Sequence, residues 1–121
     1  MDIENLKSQM RKGMLEYCIL LLLDHGDAYA SQIISRLKQA HMIVVEGTLY
    51  PLLTRLKNAG ALTYRWEESP SGPPRKYYSL TNEGRDNLST LHNVWAEISR
   101  TIDLLSDNNS IQQQLTTDIQ S

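Results

Sequence analysis

A mainly α-helical protein with one small β-hairpin is the fold class the sequence predicts, and three observations carry it. Apolar residues recur at helical spacing in four separate stretches, the last of them long. Two β-rich runs with paired aromatics, Leu62 to about Glu67 and Arg75 to Leu80, flank the turn-forming segment "ESPSGPP". The chain has 121 residues, 40% hydrophobic and 21% charged, the length and composition of one soluble domain with a single core.

The first helix is expected from Ile3 to Asp24, with Met10, Met14, Leu15, Cys18, Ile19 and Leu22 inward. "DHGDAY" ends it, with Gly26 free to take a left-handed cap conformation. The apolar run before Ala28-Tyr29-Ala30 imitates a signal peptide and its cleavage site. Asp2, Glu4 and Glu16 stand in the wrong places for that, as do Asp24 and Asp27. The run is also too short to span a bilayer. The expectation is a buried helix in a cytoplasmic protein that meets no membrane, with Cys18 a reduced core residue.

Cys18 is the single cysteine, so there is neither an intrachain disulfide nor a cysteine-based zinc site. His25, His41 and His92 lack metal-ligand spacing and read as ordinary surface or packing residues. No G-x-S-x-G, P-loop or paired-carboxylate signal occurs. An enzyme is not expected, and no cofactor or metal.

A second helix should run from about Tyr29 to Ala40, burying Ile33, Ile34 and Leu37. "HMIVVEG" connects it onward, with Val44 and Val45 suited to packing at the next helix entry. The third helix lies in "VEGTLYPLLTRLKNAGAL". Leu49, Leu52, Leu53 and Leu56 follow the i, i+3, i+4, i+7 rule and define a buried face. Pro51 is tolerated in a first turn, where its missing N–H has no partner to lose, which places the start near Gly47 or Thr48. Gly60 supplies the stop.

The two β-rich runs then form a hairpin whose loop is longer than the tight two-residue kind. Thr81 caps a long helix from about Asn82 to Ser106. The remainder, 107–121, is polar; Ile111, Leu115 and Ile119 suit a short terminal helix, and a frayed tail fits equally. Three helices followed by a two-stranded wing make a winged helix-turn-helix, here residues 1–81. Residues 82–106 form a further helix, and 107–121 a tail.

That order gives the third helix a purpose. Its exposed face carries Thr48, Tyr50, Pro51, Thr54, Arg55 and Asn58, and the Thr, Tyr, Arg and Asn among them can hydrogen-bond phosphates and base edges of double-stranded DNA. Tyr50 has a second reading, as a ring packed sideways on a neighbouring helix. Net charge is −2, yet its distribution is uneven. Residues 1–81 hold ten Lys/Arg against eight Asp/Glu, and residues 82–121 hold two against six. Arg75 and Lys76 on the second wing strand are placed to hold phosphates.

In the long helix, Leu88, Leu91, Trp95, Ile98, Ile102 and Leu105 are spaced 3, 4, 3, 4, 3, a narrow heptad seam. Such a seam wants a partner helix, and a second copy of the chain is the simplest supplier. It is expected to dimerise; packing back on the first helix is the alternative. Trp95 is bulky for a meshed coiled coil, and two copies near a two-fold axis would prop the helices into an aromatic-walled slot for a planar ligand. Interface filler is its other reading.

"GTLYPLLTRLKNAGAL" and "PPRKYYSLTNEG" closely resemble the PadR family of bacterial transcriptional regulators, with further similarity in "RKGMLEYCILLLL" and around Tyr29. The resemblance covers roughly residues 10–105 and, by the single long terminal helix, the short subfamily that includes multidrug-binding regulators. It implies a homodimeric repressor on a pseudo-palindromic operator, released by a small aromatic or phenolic effector. It also implies an effector site at Trp95 and at Ser99, which stands where the drug-binding relative has an acid. Neutral or anionic aromatics should therefore compete well with cations, and His92 would assist an anion where it borders the slot. Ala30 replaces the glycine that many members carry after the tyrosine. The competing expectation, suggested by overall acidity, is a winged-helix protein-interaction module without DNA binding; Arg55, Arg75 and Lys76 argue against it.

Overall fold

The computed structural model describes residues 2–107, so Ile111, Leu115 and Ile119 lie outside the described part. Five helices and three strands follow in the order α1 (Ile3–Arg11), α2 (Leu15–Asp24), β1 (Ala28–Tyr29), α3 (Ala30–Gln39), α4 (Glu46–Asn58), β2 (Leu62–Ser69), β3 (Gly72–Leu80) and α5 (Asn82–Ser106). The expected winged helix-turn-helix is present.

The single first helix is corrected to two. Asp2 caps α1, its carboxylate accepting from the Glu4 and Asn5 amides at 3.1 and 3.2 Å. The ladder breaks at Lys12 to Met14, around Gly13, the residue least suited to a helix interior after proline. With the break, the inward set changes as well. Met10 is 73% exposed and α1 buries no residue, while α2 buries Tyr17, Ile19, Leu20 and Leu23. Cys18 is only half-buried, and burial pushes its thiol pKa up, which keeps it an unreactive packing group.

Ile33 and Leu37 of α3 are buried as expected, and Ile34 is half-buried. The end of α3 is a Schellman motif. His41, at φ 66, takes the left-handed position, its N–H donating to Lys38 O at 3.0 Å and that of Met42 to Leu37 O at 2.8 Å. Val44 is half-buried, but Val45 stays exposed, contrary to its expected packing role.

The α4 helix starts at Glu46, a residue or two earlier than Pro51 suggested. Pro51 therefore sits in the second turn, where it leaves the Gly47 carbonyl without its i+4 donor. Both residues are exposed, so water can serve that carbonyl. Gly60, at φ 86, closes α4 with a second Schellman motif: Gly60 N–H to Lys57 O at 3.0 Å and Ala61 N–H to Leu56 O at 3.0 Å.

The wing is longer and its turn tighter than expected. Strands β2 and β3 run to Ser69 and from Gly72, leaving Pro70 and Ser71 as the turn. The register is Leu62 with Leu80 through Glu67 with Arg75, then an irregularity before Ser69 with Gly72. Pro73 and Pro74 fall inside that irregularity, where a missing ladder N–H costs least. Two residues of β1 pair with the other edge of β3, Ala28 with Tyr78 and Tyr29 with Tyr77. The sheet is thus three-stranded and antiparallel, in the order β1-β3-β2. Ile19, Leu20, Ile33, Leu49, Leu53 and Leu56 form the fully buried centre beneath it.

Two compact units divide the chain, 1–88 and 89–121. Helix α5 opens in the first. Thr81 accepts the Gly84 amide at 2.9 Å and donates to Gly60 O at 2.6 Å, and its own N–H donates to Ala61 O at 3.1 Å. Gly84 is buried against Ala61 and Leu80, and a Cβ there would run into the Ala61 carbonyl oxygen and the Leu80 side chain. Beyond Leu88, which is buried, and Leu91, half-buried, the seam residues Trp95, Ile98, Ile102 and Leu105 are exposed.

Candidate nucleic-acid interface

The face of α4 that raised the expectation of DNA contact is open. Leu49, Leu53 and Leu56 are buried and Leu52 is half-buried, while Thr48, Tyr50, Pro51, Thr54, Arg55 and Asn58 are all exposed. Three buried leucines fix the roll of the helix, so the opposite groups cannot turn inward without emptying the core. Tyr50 is 47% exposed and lies between the wing and the first turn of α3, where Ala30 and Ser31 line the cavity that it borders. That cavity, of about 310 Å³, is also lined by Trp66, Arg75, Lys76 and Tyr78. Tyr78 is buried there, and burial, helped by Tyr50 and Tyr64, pushes its phenol pKa up.

Adjacent residues of a strand face opposite ways, and β3 uses this to separate its two cations. Lys76 pairs in register with Trp66, and its Nζ lies 4.6 Å from the centre of the Tyr64 ring and 5.6 Å from that of Trp66. Arg75 stands on the other face, its guanidinium carbon 4.0 Å from the centre of Tyr29. Behind it the Tyr29 and Tyr77 rings meet at 4.7 Å, and Arg65 covers the far side of Tyr77 at 4.4 Å. The result is a cation–ring–ring–cation stack running from the wing into β1.

Arg65 is itself tied down. Its NH1 donates to Asp27 Oδ2 at 3.0 Å and its Nε to Glu67 Oε1 at 2.7 Å. Burial pushes the Asp27 carboxyl up and is the largest single influence on it, but hydrogen bonds from Arg65 and Ser79 and the charges of Arg65 and Arg85 together outweigh it and hold its pKa below the ordinary value. Arg75 and Lys76 have no carboxylate partner among the described residues, so their charge is available to an anion. Arg55 differs, donating from NH2 to Glu16 Oε2 at 3.0 Å.

Tyr29, Trp66, Asp27 and Arg65 were not among the site residues expected from the sequence. The alternation of the hairpin signals which face Trp66 takes, but Tyr29 and Asp27 join the wing through β1, a pairing of two residues that leaves no pattern.

A model of the transcriptional regulator PadR-like family matches residues 19–90, from within α2 through the wing to the first turns of α5. The chain belongs to the PadR-like family of transcriptional regulators. It is a DNA-binding transcription regulator and not an enzyme. Solved PadR-like structures agree. One from Bacteroides fragilis is 61% identical, with TM-score 0.72, covering 84% of this chain and 98% of that one. A PadR-like regulator from Bacillus cereus is 33% identical with TM-score 0.73, over 84% and 99% of the two chains. A PadR family regulator from Eggerthella lenta is 28% identical with TM-score 0.77, over 88% and 93%. A curated protein from Lysinibacillus sphaericus is 33% identical over 104 residues, 84% of this chain and 95% of its own. PadR membership supports the DNA-binding regulator over the alternative of a winged-helix interaction module. Among the described residues no helix is long and apolar enough to cross a membrane.

Proposed function

We propose that this PadR-like regulator is a homodimeric repressor. Each protomer lays α4 in a major groove of a pseudo-palindromic operator, and a small aromatic effector releases it. The observation that carries the reading is the exposed α4 face beside two wing cations that have no carboxylate partner among the described residues. Thr48, Tyr50, Pro51, Thr54, Arg55 and Asn58 meet base edges and nearby phosphates, while Arg75 and Lys76 hold the backbone on either face of the wing. Arg75 is held beside Tyr29 and Lys76 beside Tyr64 and Trp66, so the wing offers the backbone two separately held cations.

Dimerisation rests on the α5 seam Leu88, Leu91, Trp95, Ile98, Ile102 and Leu105. Its four outer members are large apolar side chains in water, and each recovers roughly 1.5–3 kcal/mol when covered. His92, Trp95 and Ser99 fall at i, i+3 and i+7 and so share one face of α5, which suits a planar ligand seated against Trp95. The ligand acts by preferring one splay of the paired helices, since equal affinity for both forms would shift nothing. A gel shift on duplex from upstream of the protein's own gene, at stated salt, tests the reading. Retardation that unlabelled copies of that duplex abolish and scrambled duplex does not is the expected result; equal competition by both refutes it.

A further inference from the structure

Glu16 is an acid placed beside a helix that reads a polyanion, and electrostatics alone argue against it there. It occupies the first turn of α2, where a carboxylate is favoured by the helix N-terminus, and reaches across to Arg55 of α4. The two side chains are 41% and 68% exposed, too open for the pair to matter much to stability. What the contact does determine is direction. Glu16 and Arg55 both border a cavity of about 740 Å³ beside α4, with Thr48 and Pro51 on the same wall. Thr48, Pro51 and Arg55 lie at i, i+3 and i+7, so the pair holds the guanidinium along the face that carries the other two.

We propose that Glu16 is the specificity-determining partner of Arg55: it positions the guanidinium for one guanine and keeps it off the phosphates. The inference rests on the reading of α4 as the base-contacting helix. A guanidinium has five N–H donors in a planar fork, and the contact at 3.0 Å uses one hydrogen of NH2. The rest leave a two-donor edge, which is what guanine O6 and N7 accept in the major groove. An unrestrained Arg55 would instead sample the nearer phosphates, whose attraction is independent of sequence. The acid also repels every duplex equally, so it lowers background binding while retaining the base contact. Arg11 and Lys12 border the same cavity and have no carboxylate partner among the described residues, so Glu16 holds Arg55 alone.

The test uses the full chain and a random-sequence duplex pool from which wild-type protein enriches a consensus site. Binding to that site and to a scrambled duplex is then measured for wild type, Glu16→Ala, Glu16→Gln, Arg55→Ala and the Glu16→Ala, Arg55→Ala double variant. Glu16→Ala should bind scrambled duplex more tightly and lose about tenfold of the consensus-to-scrambled ratio, with preference relaxed at one guanine. Its salt slope should steepen by about one unit as Arg55 moves to a phosphate. Glu16→Gln keeps an acceptor and should retain most of the ratio. In the Arg55→Ala background Glu16→Ala should change the ratio no further. A ratio unchanged in Glu16→Ala, or lowered equally with and without Arg55, overturns the proposal while leaving DNA binding by α4 intact. If wild type enriches no sequence at all, the reading of α4 falls with it.

Discussion

The guanidinium of Arg75 lies over the face of Tyr29, 4.0 Å from the ring centre, and joins β3, the middle strand of the sheet, to the strand that precedes α3. Tyr29 is thus a brace for a wing cation. Replacing it with Ala should lower the stability of the fold by about 1–2 kcal/mol, through lost ring stacking and cation–π contact. Tyr29→Phe keeps both faces of the ring and should cost far less. Urea unfolding of the two variants checks this, and equal losses would show that the hydroxyl, not the ring, matters.

Asp27 gives the brace a pH dependence. Its folded pKa is lowered, chiefly because hydrogen bonds and charge from Arg65 overcome the effect of burial. The contribution of a carboxylate with a depressed pKa is complete above its unfolded value of about 3.9 and is lost as pH falls through the folded value. Asp27→Asn should therefore be less stable than wild type at pH 7, by less than about 1 kcal/mol for so exposed a pair, and equal to it in strong acid. Thermal melts at both pH values read the difference. A gap that widens on acidification would contradict the assignment.

Gly84 is set against Ala61, and the space for a β-carbon is already filled by a backbone carbonyl. Gly84→Ala should destabilise by about 1–3 kcal/mol despite the better helix propensity of alanine, because neither backbone can yield cheaply. Calorimetry of the variant decides between propensity, which predicts a rise in Tm, and packing, which predicts a fall.

Ile98 lies in the exposed part of the α5 seam. Ile98→Asp places a charge where the proposed dimer is dry and should yield monomers with collapsed operator affinity, since one half-site alone holds weakly. Analytical ultracentrifugation follows the association. A wild-type protein that sediments as a monomer at micromolar concentration removes the dimer.

Long periodic segments were legible in the sequence. Leucines at i, i+3, i+4 and i+7 foretold which face of α4 is buried, and Thr81 foretold the start of α5 to the residue. What escaped was short or non-local. Gly13 breaks the first helix, yet a single glycine inside a helical pattern is often tolerated, so its effect depended on packing. Strand β1 has two residues, too few to show alternation, and exists because β3 offers it an unpaired edge. For the candidate site, the exposed residues of α4 and the two wing cations could be named from pattern. Their partners could not: Glu16 lies 39 positions from Arg55, and Asp27 lies 38 from Arg65. No local rule joins residues that far apart.

The claim that α4 and the wing together grip DNA meets its most direct test in one binding curve. Fluorescence anisotropy of labelled duplex from upstream of the protein's own gene should be compared between wild type and an Arg55→Ala, Lys76→Ala variant with an unchanged melt. The account predicts a loss of at least about tenfold in affinity, from one base contact and one phosphate contact removed, and a salt slope shallower by about one unit. Unchanged affinity in a folded double variant would contradict it.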